Sequence, residues 1–462
     1  MAHVIASREE ALIHARKRWA DYALFLDADV FLVEPKTLTY LIAWNKTITA
    51  PMLKSFGSYS NFWGDIDSTG YYRKSDNYED ILERKVRGCF PVPMVHSVVL
   101  IDLRRSASQF LTFDPQKLLG FYDGPVDDII VFAHSAQRSK AFMHLLNTHN
   151  FGYVLPPLDS SFALEDDVQQ LVYLLTETLR DGPPGLIHSP FLMPYKPAAT
   201  DKLGMDEVYL INLRRRPDRL DRMKACFSIL GINATHVEAV DGSSLTSDDI
   251  KHLGIEFVPE FLDPYHQRPM TKGEIGCFLS HYRIWEDVAA KDYDKVLVME
   301  DDLRFMMDFR RRIELILADI QAVNLDWDLI YIGRKRLSSD EEDDFVEGCE
   351  TIAHVGYTYW TLGYLLSGSG ARKLLDSKPL QRLLPVDEFF PVMYDRHPQQ
   401  TWAQHYSNRN LKAYTAEPLL VHPTHYTGEE GYISDTEYTP IAAIRTQAGE
   451  GTFAKSESKD EL

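Results

Sequence analysis

"VLVMEDD", residues 296–302, is an apolar run that ends in three consecutive carboxylates, Glu300, Asp301 and Asp302. A short continuous apolar run suits a strand buried on both faces, as in parallel or mixed sheets. Acids at the carboxyl end of such a strand stand where open α/β sheets take their ligands. Oxygen ligands of this kind suit a hard divalent cation, Mn or Mg, and the cation in turn suits a diphosphate. Asp302 is the first choice of ligand.

The sequence upstream fits that reading. "EVYLINLRRRPDRLDRM" (207–223) reads as a buried strand from Val208 to Leu213, with Asn212 a candidate nucleotide-sugar ligand, then a basic turn and a helix opened by Pro217 at a position where its missing N–H costs nothing. Arg214, Arg215, Arg216, Arg219 and Arg222 crowd this junction. A helix start with arginines beside it makes a pocket for phosphate; a solvated basic helix face is the plainer alternative. "HVEAVDG" (236–242) is a second strand whose Asp241-Gly242 turn can close over a base or ribose. In "TKGEIGCFLSHYRIWEDV" (271–288), Thr271 and Glu274 have the spacing of a capping box, with Lys272 within reach of a phosphate.

Bulk properties narrow the partners. The chain has 462 residues, 45% apolar and 25% charged, enough for two or three ordinary folded domains. Its net charge of −19 argues against nucleic acid or anionic lipid as the main partner. No apolar run approaches the ~20 residues of a transmembrane helix. The C-terminal Lys459-Asp460-Glu461-Leu462 is a retrieval address for the endoplasmic reticulum lumen, read by a receptor. Sequons at Asn45 and Asn233 agree with a lumenal protein. Four cysteines leave one or two disulfides or four buried thiols equally open. The N-terminal residues carry no signal peptide, which reads as a partial chain. Four regions follow: 1–155, alternating strands and helices; 156–204, a linker with one helix, "DDVQQLVYLLTETLRD"; 205–436, the second domain; and 437–462, a polar tail.

The order "INLRRRPDR", "EAVDG", "KGEIGCFLSHYRIW", "VMEDDLRF", "DWDLIYIGRKR", "PVDEFFPVMY" and "PTHYTGEEGYISDTE" resembles glycosyltransferase family 25, and within it the procollagen galactosyltransferases. The likeness runs from about residue 4 to 437 and takes in "YSNFWGDIDSTGYY" and "RGCFPVPMVHSVVLIDLRR". It implies an α/β chain of two tandem GT-A-like, Rossmann-like domains. The implied reaction transfers galactose from UDP-galactose to the 5-hydroxyl of hydroxylysine in collagen, with inversion and with Mn2+. Collagen chains and the retrieval receptor are the implied partners. A homodimer is compatible with the sequence, which does not fix the oligomeric state.

Inversion requires a general base, and "PVDEFF" (385–390) offers Asp387 and Glu388, one for the acceptor hydroxyl and the other to cap a helix or bind galactose. His422 and His425 in "VHPTHYTG" are candidates to complete a metal shell, with His425 preferred. The aromatics of "YTYWTLGYLLSGSGARKLL" (357–375) suit a sugar platform and core packing equally. The first domain repeats the plan. "LFLDAD" (24–29) ends in Asp27 and Asp29, and "PVDDIIVFAHS" (125–135) supplies Asp127 and Asp128. Acid clusters lie about 100 residues apart here and about 85 in the second domain, which argues for duplication. Little sequence precedes "LFLDAD", so the first domain is expected to lack its nucleotide-binding portion and to act as scaffold or acceptor-docking surface. Two other functions stay open: a binding or adhesion protein without turnover, and a glucosyltransferase acting on galactosylhydroxylysine.

Overall fold

A computed structural model describes residues 2–436 except 56–58, 68–70, 158–160, 162, 181, 183–190, 192, 194, 198, 338–343 and 430. The polar tail and its retrieval tetrapeptide lie outside the described residues. The chain divides into two compact units, one ending at Tyr195 and the other beginning at Lys196.

In the first unit, helix α1 (Ala2–Lys17) leads into β1 (Tyr22–Leu26), followed by β2 (Ile48–Pro51), β3 (Cys89–Val92), β4 (Val98–Asp102), helix α2 (Asp128–Arg138) and β5 (Met143–Leu146). These strands form one sheet in the order β1-β4-β2-β5-β3, with only the β2–β5 pair parallel. Helix α3 (Leu164–Glu177) follows in the same unit.

The second unit opens with β6 (Glu207–Asn212), helix α4 (Pro217–Leu230) and β7 (Thr235–Glu238). Helix α5 (Lys272–Lys291) precedes β8 (Lys295–Met299), and β9 (Leu303–Phe305) continues from the acids. Then come β10 (Leu329–Arg336), β11 (Ile352–His354), β12 (Thr358–Ser367), helix α6 (Gly368–Asp376), helix α7 (Val386–Met393), β13 (Ala413–Ala416) and β14 (Val421–Pro423). The main sheet runs β7-β6-β8-β12-β10-β13-β11. The stretch 296–302 therefore leaves the sheet interior: β8 is parallel to β6 on one side and antiparallel to β12 on the other. Its Val296 to Met299 are fully buried, as a strand covered on both faces requires.

Helices α5 and α7 cover the sheet with a block of rings. Trp285, Phe278, Phe389, Phe390 and Tyr364 are all inaccessible, with Trp285 5.8 Å from Phe389 and Tyr364 5.3 Å from Phe390. Offset and edge-on contacts at these spacings fix the relative position of two helices that both carry site residues. The start of α5 is the expected capping box, with Thr271 accepting from the Glu274 N–H and Glu274 from the Thr271 N–H.

The duplication is visible in topology. Across the sheet, the five strands of the first unit stand in the chain order 1-4-2-5-3. Strands β8, β10, β11, β12 and β13 do the same, with the same parallel and antiparallel pairings. Helices α1 and α5 precede the acid-ended strands; α2 and α7 carry the second acid pairs. The pair β6–β7 has no counterpart among the described residues of the first unit. One reading needs correction here. "LFLDAD" looks like a buried strand, yet β1 is hydrogen-bonded on one side only, and Leu24 and Leu26 are 43% and 50% exposed.

Candidate functional site

The three acids after β8 differ sharply in their surroundings. Asp301 is buried and fully engaged: it accepts from Asn212 Nδ2 at 2.6 Å and from Arg219 Nη1 at 3.1 Å. Glu300 accepts from Thr361 Oγ1, and His281 Nε2 lies 3.2 Å from the same oxygen. Burial works to raise its pKa, but the His281 and Thr361 contacts and the nearby Arg219 outweigh it and hold the carboxyl below its ordinary value. Asp302 is the one left open. Burial, then the neighbouring Glu300, push it up to about 7. Its Oδ1 is buried without a hydrogen-bond partner.

An orphaned carboxylate oxygen among three clustered acids is what a hard divalent cation would satisfy, so these residues fit such an ion. Thr424 fixes the strand end, donating through both its N–H and its Oγ1 to the Asp302 carbonyl at 2.6 Å. His425 follows Thr424 in the chain, and its Nδ1 lies 4.0 Å from Glu429.

Two further orphaned atoms, Asn212 Oδ1 and Arg216 Nη2, belong to the end of β6 and the turn after it. An unpaired acceptor and an unpaired donor beside an unpaired carboxylate indicate a polar ligand rather than packing. The arginines of the turn divide. Arg214 is exposed. Arg215 donates to Asp241 at 2.9 Å and to Asp435 at 2.5 Å, and Arg216 to Asp435 at 2.9 Å. Arg219 lies 3.8 Å from Asp302 and 3.6 Å from Asp435. Asp435 is a site residue the sequence reading missed. Three arginines on one turn were signal enough that a counter-charge was needed, but not where in the chain it lay.

Lys272, Glu274, Asp241 and Gly242 build the wall beside this turn. Lys272 Nζ donates to the Leu245 carbonyl at 2.8 Å, and Glu274 takes both guanidinium nitrogens of Arg268 at 3.1 and 3.0 Å. Asp241 accepts from the Ser243 N–H and hydroxyl. At Gly242 the loop lies against the start of α5, where a Cβ would sit 1.8 Å from the Lys272 carbonyl oxygen.

The pair on α7 separates cleanly. Glu388, 2% exposed, accepts from the hydroxyls of Tyr357 (2.9 Å) and Tyr359, and His397 Nε2 is 2.7 Å away. Asp387 is half-buried; burial, then Glu300 and Glu388, push it up to about 8 despite a hydrogen bond from the Trp360 N–H. The residues around Glu300 were also missed. His281 Nδ1 is 2.8 Å from the Tyr364 hydroxyl, and ligand atoms of Cys277, His281 and Glu300 lie within 4.8 Å of one another. All four cysteines are free thiols.

In the first unit two of the four acids share one arginine. Arg8 of α1 pairs with Asp27 and, through Nη1, with Asp128 at 2.9 Å. Arg8 precedes Asp27 by 19 residues, as His281 precedes Glu300. Asp127 caps α2, accepting from the Ile129 and Ile130 N–H groups. Asp29 follows Asp27 as Asp302 follows Glu300.

A mixed α/β sheet whose interior strand ends in an open carboxylate beside an arginine turn defines the class: an α/β protein with an acid cluster and an arginine turn at the carboxyl end of its central strands. Comparison with known proteins gives the family. A family model described as "Glycosyltransferase family 25, N-terminal domain" matches residues 1–175, and one described as "Glycosyltransferase family 25 (LPS biosynthesis protein)" matches 205–390. A "Glycosyltransferase 25 family member" of Aedes aegypti is 49% identical over 445 residues, 94% of this chain and 72% of the relative. "Procollagen galactosyltransferase 1-A" of Xenopus laevis is 48% identical over 98% of this chain and 74% of its own length. "Procollagen galactosyltransferase 2" of Homo sapiens is 47% identical over 95% and 70%. The chain belongs to glycosyltransferase family 25.

Proposed function

We propose that this chain transfers galactose from UDP-galactose to the 5-hydroxyl of hydroxylysine in collagen, with inversion, in the lumen of the secretory pathway. The relatives' names supply the sugar and the acceptor; the observation that carries the assignment to this site is the orphaned Asp302 oxygen beside Asn212 and Arg216. Asp302, with Glu300 close by, would hold a divalent cation such as Mn2+, whose role is to neutralise the diphosphate. Arg219 and the free nitrogen of Arg216 add positive charge where the UDP leaving group gains negative charge.

Asp387 is the general base. Its carboxylate accepts the proton of the acceptor hydroxyl as the oxygen attacks the sugar carbon from the face opposite UDP. The Trp360 N–H holds it in place, and its raised pKa makes it basic enough for the task. Glu388, saturated by two tyrosines and a histidine, positions the segment instead. The endoplasmic-reticulum address rests on the tail at 459–462. Among the described residues no helix is long and apolar enough to cross a membrane.

The test is release of UDP from UDP-galactose on a hydroxylysine peptide, with UDP-glucose in competition. Turnover with galactose, weakened little by UDP-glucose, supports the reading. Turnover with UDP-glucose on galactosylhydroxylysine alone would replace it with the glucosyl reading, and binding without turnover with a pseudo-enzyme.

A further inference from the structure

Beside the α7 carboxylates runs a row of rings that the transfer itself does not require. The Tyr359 ring, its hydroxyl on Glu388, stands edge-on to Tyr265 at 5.4 Å. The Lys335 ammonium lies 6.0 Å from the Tyr265 ring and 5.6 Å from the Trp360 ring, and Trp360 is 6.1 Å from Tyr426. Tyr265 is 60% exposed and Tyr426 37%. Trp360, Lys335 and Tyr426 are among the residues that line a cavity of about 720 Å3, together with Pro418, His422 and the polar side chains of Arg312, Arg334, Arg336 and Glu417.

Trp360 adopts φ 68°, a left-handed backbone that a bulky side chain rarely takes. That same residue gives its N–H to Asp387 and its indole to the row. The row is therefore tied directly to the base.

We propose that this row is the docking groove for the acceptor, taken as a single Gly-X-Y chain in the polyproline II conformation. The inference rests on the collagen reading above. A polyproline II chain has no internal hydrogen bonds and repeats its face every three residues, about 9 Å. Proteins recognise it with aromatic grooves, because flat rings stack on proline and the chain is already ordered before it binds. Two ring pairs, Tyr265–Tyr359 and Trp360–Tyr426, flank Lys335, and the ammonium within reach of both can donate to the outward carbonyls of the chain. Four rings and an ammonium follow one another at 5.4 to 6.1 Å, more than the one or two rings that stack on a hexose, which favours an extended chain over a sugar platform.

The test uses the full chain and two variants at exposed rings, Tyr265→Ala and Tyr426→Ala. The probe is a fluorescent (Gly-Pro-Pro)-repeat peptide without hydroxylysine, too short to form a triple helix, against a Gly-Ser peptide of equal length. Binding selective for the proline peptide, weakened about ten-fold by each variant, is expected. With a hydroxylysine peptide, the acceptor KM should rise by a similar factor and the UDP-galactose KM less than two-fold. Equal affinity for both peptides, or variants that bind the proline peptide as the parent does, overturns the groove. A rise confined to the UDP-galactose KM would make the row a sugar platform and also overturn it. If the parent binds the proline peptide but transfers no galactose, the reaction fails while the groove stands.

Discussion

At the scale of single residues, adjacent acids have been given different work by their neighbours. Asp387 and Glu388 share a helix turn, yet three donors surround Glu388 and one backbone N–H meets Asp387. Asp387→Asn should lower turnover by roughly 10²–10⁴ with UDP affinity and melting temperature little changed. Glu388→Gln should instead destabilise the protein by about 2–3 kcal/mol, because an amide leaves buried donors unpaired. A thermal melt beside a turnover assay separates the two, and the reverse pattern would exchange their roles. Protonation gives a second prediction. Asp302 is raised to about 7, so at neutral pH without a cation it holds a proton for much of the time. A divalent cation selects the ionised form, so Mn2+ binding should release roughly half a proton at pH 7 and almost none near pH 9.5, with affinity rising across that interval. Calorimetry in buffers of different ionisation enthalpy reads this directly, and proton uptake at pH 7 would contradict it.

At the scale of elements, the close seating of α5 against the 240–242 loop sets the site's shape. A Cβ on Gly276 would sit 2.4 Å from the Val240 carbonyl oxygen and 2.6 Å from the Gly242 nitrogen. Neither partner is a flexible side chain, so Gly276→Ala should cost about 1–3 kcal/mol and lower turnover as His281 moves with its helix. Thr271→Ala, which removes only the cap, should cost about 1 kcal/mol in a melt and leave turnover nearly intact. A Gly276→Ala protein that melts and turns over normally would show that the helix has room to shift. These elements were legible in the sequence because their signals are local: the apolar run of β8, Pro217 opening α4, the capping box at Thr271. What the sequence did not show depends on distant partners. Asp435 meets Arg215 from 220 residues away, and whether β1 is an interior or an edge strand depends on what lies beside it in the sheet. The saturation of Glu388 by Tyr357, Tyr359 and His397 is likewise a property of the packed domain, since nothing in "PVDEFF" distinguishes its two acids.

At the scale of the whole chain, one five-strand plan occurs twice with different chemistry at matching places. Where the second unit sets His281 against Glu300, the first sets Arg8 against Asp27 and Asp128, a fixed positive charge where the second unit keeps a neutral-capable ring. Among the described residues, the orphaned polar atoms Asn212 Oδ1, Arg216 Nη2 and Asp302 Oδ1 belong to the ends of β6 and β8 in the second unit, and no atom of Asp27 or Asp29 is orphaned in this way. The central claim is that catalysis belongs to the strand end at 300–302 and not to its counterpart at 27–29. The most direct measurement compares galactose transfer to a hydroxylysine peptide by Asp302→Ala and by Asp29→Ala, each confirmed folded by its thermal melt. Transfer should be lost in Asp302→Ala and stay within about two-fold of the parent in Asp29→Ala, since without its cation ligand the site cannot neutralise the charge that develops on the leaving diphosphate. Near-normal transfer by folded Asp302→Ala, or its loss in Asp29→Ala, would contradict the claim.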